Sequence, residues 1–110
     1  MNTYLFHLVQ TPATLAKLIT APEDRFATSE PIIKGMGGTL LGFWYGVGGN
    51  DVHVMAELPD DVAATSLCTR VSASGAFSSA TTTRLLSVEE MLTALRGSAA
   101  TPYRAPGEAG

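Results

Sequence analysis

The segment DVHVMAEL at 51–58 limits this chain more than any other, because it alternates strictly and is stopped at both ends. Successive side chains of a strand point to opposite faces, so Val52, Val54, Ala56 and Leu58 form one apolar face and His53, Met55 and Glu57 form the other. The glycine-rich stretch Val47-Gly48-Gly49-Asn50 before it is a turn, and TLLGFWYG at 39–46 is aromatic and apolar, so 39–58 reads as a β-hairpin. Pro59-Asp60-Asp61 ends the strand and caps a helix over 61–74, which Gly75 closes.

The flanking segments supply two more strands. TYLFHLV at 3–9 reads as a strand with Tyr4, Phe6 and Leu8 on one face and Leu5, His7 and Val9 on the other. Thr11 followed by Pro12 is a helix N-cap with proline at the first helical position. Pro22 and Pro31 each disfavour helical geometry in the residue before them, so 11–36 is expected as two or three helical pieces. AFSSATTTRLL at 76–86 reads as a fourth strand. Ser87-Val-Glu-Glu90 is a capping box that opens a helix with Val88, Met91, Leu92 and Leu95 on one stripe. The domain is expected over 1–96, with 97–110 as a mobile tail of low apolar content.

The order is therefore βαββαβ with an extra C-terminal helix. Right-handed crossovers make it an α+β, ferredoxin-like domain with a four-stranded antiparallel sheet in the order 4-1-3-2. Two helices, with the third nearby, cover one sheet face. The other face is expected to carry Leu5, His7, Val9, Leu40, Trp44, His53, Met55 and Glu57, with Arg84, Thr82 and Ala80 from the fourth strand. That is too much apolar surface to leave wet, and it marks a partner interface or ligand groove. A charged fraction of 15%, against about 25% in typical globular chains, points the same way, toward an oligomer of at least two copies.

Composition also excludes several partners. The net charge is −3 and the seven Lys and Arg are scattered, so there is no footprint for a nucleic acid. The apolar stretch at the amino terminus is too short to span a bilayer and lacks a basic leader, so no membrane partner is expected and the location is expected to be cytoplasmic. Cys68 is the single cysteine; it rules out an internal disulfide and reads as a small buried hydrophobe.

The stretch FWYGVGGNDVHVMAELPDDVAA at 43–64 resembles the signature of the GYD-domain family, small bacterial proteins of the dimeric α+β barrel superfamily. Gly49, Asp51, Glu57, Pro59, Asp60 and Asp61 stand at the matching places, and the resemblance extends over about residues 3–96. The tyrosine that gives the family its name is Asn50 here, and Pro22 and Pro31 are inserted in the middle segment. The resemblance implies the dimeric α+β barrel and a homodimer. In the wider superfamily it points toward cofactor-free monooxygenases, lactone isomerases, cyclases and haem-binding enzymes.

The candidate chemistry lies on the uncovered face. His7 comes late in the first strand and His53 early in the third, so antiparallel pairing brings them together as a candidate acid/base pair, with Glu57 or Asp51 orienting one ring. His7, His53 and Glu57 are the expected catalytic residues, and Trp44, Met55 and Arg84 the expected substrate contacts. No cofactor is expected; if a metal binds, His7 and His53 are the ligands to expect, with a carboxylate. Arg84 either meets a substrate carboxylate or pairs with Glu57 across a dimer. The expected activity is proton transfer on a small, mostly apolar organic molecule: isomerisation, cyclisation or cofactor-independent oxygenation. The alternative is a non-catalytic assembly or sensing module whose open face is only an oligomer interface.

Overall fold

A computed structural model describes residues 1–108. The elements follow in the order β1 (Asn2–Gln10), α1 (Pro12–Thr20), α2 (Arg25–Gly35), β2 (Thr39–Tyr45), β3 (Asp51–Leu58), α3 (Asp61–Ala73), β4 (Phe77–Leu85) and α4 (Val88–Ala99). The sheet order is β2-β3-β1-β4 with every neighbouring pair antiparallel. This is the ferredoxin-like α+β topology that the element order implies.

The inward face of the sheet is the one set by alternation. Tyr4, Phe6 and Leu8 of β1 and Val52, Val54, Ala56 and Leu58 of β3 are all buried, and they meet Ile33 of α2 and Ala64 of α3. Small residues at Ala63 and Ala64 let α3 approach closely. Gly38 permits a second close approach, since a Cβ there would collide with the backbone carbonyl of Glu57. Caps fix the helix starts: Thr11, Asp24, Asp60 and Ser87 each accept a hydrogen bond from the backbone N–H three residues on.

Pro22 separates α1 from α2, giving two of the expected two or three helical pieces, while Pro31 lies inside α2 without ending it. The helix gives up only the bond that a residue-31 N–H would have made to the carbonyl of Ala27. Two strand details differ from the sequence reading. In β2 the register shifts between Leu40 and Gly42, so Leu40 pairs with Ala56 and Gly42 with Met55. The extra residue, Leu41, reverses the alternation on its amino-terminal side, and Leu40 is buried beneath the helices rather than on the open face. In β4, Arg84 pairs with Tyr4, Thr82 with Phe6 and Ala80 with Leu8. All three therefore lie on the helix side of the sheet, and β4 shows Leu85, Thr83, Thr81 and Ser79 on the open side.

The covering layer is thinner than three helices. α2 and α3 each bury a residue, whereas α1 and α4 bury none. α4 continues to Ala99, past the expected boundary at 96, and the last two residues of the expected tail lie outside the described residues. An ion pair of 3.0 Å between Arg84 and Glu90 ties α4 to the body, while Val88, Met91, Leu92 and Leu95 stay exposed. The radius of gyration is 18.2 Å, against about 13 Å for a compact chain of this size. Among the described residues, no helix is long and apolar enough to cross a membrane.

Candidate functional site

On the open face, β1 and β3 pair His7 with His53 and Val9 with Asp51. The imidazoles of His7 and His53 stack, with centroids 4.8 Å apart and planes 8° from parallel. His7 Nε2 lies 2.8 Å from Asp51 Oδ1. An ionised carboxylate only accepts, so in the neutral ring the proton sits on Nε2 and donates to Asp51. The side chains of His7 and Asp51 are 41% and 47% exposed, which leaves the group open to any molecule lying on this face.

Trp44 stands beside this group, because β2 pairs it with His53. Its indole lies over Gly42, whose missing Cβ makes the room. Met55 pairs with Leu5 and Gly42 in the middle of the face. Glu57 pairs with Thr3 and Thr39 at the far end of β3, four residues from His53 and so about 13 Å along the strand. The strand geometry thus brings His7, His53, Asp51 and Trp44 together and leaves Glu57 apart from them. Among the described residues, no group of three or more His, Cys, Asp or Glu is placed to hold a metal ion.

Arg84 belongs to a different constellation. On the helix side of the sheet its Nη2 donates to Asn2 Oδ1 at 3.2 Å and to Glu90 Oε2 at 3.0 Å, and its Nε lies 3.8 Å from Asp61. The buried Tyr4 donates to the same Asp61 Oδ1 at 2.6 Å. Burial, reinforced by that bond, pushes the Tyr4 phenol above its usual value. Arg84 therefore pairs with Asp61 and Glu90 within the chain rather than with a group on the open face.

A pocket lies on the other side of the sheet. A cavity of about 120 Å³ lies between the helix side of the sheet and helices α2 and α3. Its wall is mostly apolar, with Phe6, Phe43 and Val54 from the sheet and Ile33, Leu67 and Val71 from the helices. Four polar side chains break that wall: Gln10, Arg25, Ser29 and Tyr45. Gln10 is buried, and its Nε2 donates to the carbonyl of Gly49 at 2.7 Å, locking the end of β1 to the hairpin turn. The backbone N–H of Gln10 also donates to the carbonyl of Asn50 at 2.8 Å, a role that does not depend on the side chain at 50. Burial raises the Tyr45 phenol above its usual value, and the charge of Arg25 partly opposes that rise.

Sequence reading assigned no site role to Gln10, Arg25, Ser29 or Tyr45. One signal was present: the parity of Tyr4, Phe6 and Leu8 carries on to Gln10, which places a polar residue on the core face. A buried polar side chain is the informative exception among inward positions. Cys68 is partly buried and lines the same wall.

A βαββαβ domain with one sheet face bare and an apolar cavity under its helices has the construction of the dimeric α+β barrel superfamily. Within that class the GYD domain matches residues 4–95, and the chain belongs to the GYD-domain family. No curated protein and no solved structure matches the chain.

Proposed function

We propose that this protein binds a small, mostly apolar organic molecule in the cavity between its sheet and helices α2 and α3. The observation that carries the reading is the cavity itself: a concave, largely hydrocarbon wall with a few convergent polar groups is the usual build of a small-molecule site. The binding step calls for no cofactor. A direct test is titration of the methyl-labelled protein with benzene or indole, followed by NMR. Saturable shifts at the methyls of Ile33, Val54, Leu67 and Val71 support the reading. Shifts confined to Leu5, Val9 and Met55, or none at all, overturn it.

A second reading rests on the stacked histidines. His7 and His53, with Asp51 fixing one ring, are set up to take and return a proton from a molecule lying on the open face. Isomerisation or cyclisation would need only this much chemistry. The same titration separates the two readings, because the two sets of methyls lie on opposite sides of the sheet.

The open face itself is suited to a second copy of this chain. Leu5, Val9 and Met55 are only half-buried and Trp44 is 53% exposed, and two such faces in contact would remove that apolar surface from water. Sedimentation velocity should show a concentration-dependent dimer that Met55→Lys dissociates. A monomer at all concentrations would overturn this part of the reading.

A further inference from the structure

We propose that the molecule held in this cavity is a small carboxylic acid, a single ring or a short chain, whose carboxylate is received by Arg25. The inference rests on the cavity-binding reading above and adds to it a charge and a size.

The size follows from the volume. The cavity offers about 120 Å³, room for several water-sized groups, which limits what lies wholly inside it to a small molecule. Anything larger must extend into the open groove beside α1, which shares Gln10, Arg25 and Leu67 with the cavity wall. Arg25 thus borders both the cavity and the groove.

The charge follows from the face that α2 presents. Arg25, Ser29, Ile32 and Ile33 all line the cavity, at the i, i+4, i+7, i+8 spacing of one helix face. The stripe runs from a cation through a hydroxyl to hydrocarbon, which matches a ligand with one anionic end and an apolar body. Arg25 is the charged side chain in that wall, with five donors in a planar fork that suits a carboxylate. It is also the first residue of α2, where the positive end of the helix adds to its charge. Its ion pair with Glu23 is 3.5 Å long and both side chains are partly exposed, so this internal competitor is weak.

The test uses two matched pairs on the full chain at neutral pH, benzoate with benzyl alcohol and hexanoate with 1-hexanol, with affinities read from the cavity methyls. At least one acid should bind 10-fold or more tightly than its alcohol. In Arg25→Met that preference should fall below 2-fold. Arg25→Lys, which keeps the charge but not the fork, should fall between. Equal binding of acid and alcohol by the native protein overturns the carboxylate assignment and leaves the cavity reading standing. An acid preference that survives Arg25→Met overturns the role of Arg25. If no acid or alcohol moves the cavity methyls, both the inference and the cavity reading fall. The native ratio is decisive on its own should either variant fail to fold.

Discussion

His7 Nε2 and Asp51 Oδ1 meet at 2.8 Å across the β1–β3 ladder, although 44 positions separate them in the chain. The contact fixes His7 in the tautomer with its proton on Nε2. Asp51→Ala should release it, and long-range ¹H–¹⁵N correlation spectra of His7 should then show a mixture of tautomers where the native protein shows one. Both side chains are substantially exposed, so the substitution should change stability by less than about 1 kcal/mol. A native spectrum that already shows the mixture would refute the fixed ring.

Two glycines of the β2 region should respond oppositely to alanine. At Gly38 the added Cβ meets the backbone carbonyl of Glu57 and approaches Leu58 at 2.8 Å, and neither can give way cheaply. Gly38→Ala should cost about 1–3 kcal/mol in chemical denaturation. At Gly42 the Cβ meets only the tip of the Trp44 indole, which is half exposed and free to swing aside. Gly42→Ala should leave stability within about 1 kcal/mol while shifting the emission of the single tryptophan.

Tyr4 should limit stability in alkali. Its phenol is raised by burial and by the bond to Asp61, so the folded state holds this proton more tightly than the unfolded state. The contribution is complete below the unfolded value of about 10 and is lost as pH rises through the folded one. Melting curves against pH should therefore fall on the alkaline side, and less steeply in Tyr4→Phe. An unchanged alkaline limb in that variant would show that the phenol is not protected.

Glu90 should act at the acid end. The backbone N–H of Ser87 donates to its carboxylate at 3.0 Å and Arg84 adds a charge pair, so its pKa is lowered from the ordinary value of 4.5. A lowered carboxylate contributes stability above its unfolded value and loses it as pH falls through the folded one. α4 should fray as pH falls below the ordinary carboxylate value and through the lowered one, seen as faster amide exchange at Met91 and Leu92 before the sheet is affected. Glu90→Gln should remove that pH dependence.

Much of the fold was legible because β3 carries a period-2 pattern, β1 carries aromatic and apolar residues at alternate positions, and the helices carry explicit caps. Thr11-Pro12, Asp60 and the Ser87–Glu90 box mark helix starts by local hydrogen bonding, which needs no knowledge of the rest of the chain. Val52 through Leu58 disclose their face by alternation alone. β4 did not, because Ser and Thr fill both of its faces and the parity of Arg84 has no local marker. Leu40 was misplaced for a related reason: a bulge adds one residue, and apolar Leu40 and Leu41 fit either side of it equally well.

The candidate sites divide along the same line. Residue types and strand order were enough to put His7 and His53 on a common face, since antiparallel neighbours with known alternation leave few registers. The sequence by itself thus determined the element order, the inward faces of β1 and β3, and the family. Only the tertiary structure decided that Asp51 rather than Glu57 reaches His7, that Arg84 turns under the helices, and that Gln10, Arg25, Ser29 and Tyr45 border one apolar cavity. Alternation and capping are properties of neighbours in the chain, whereas a cavity is the space left when distant elements meet, and no local pattern encodes that space.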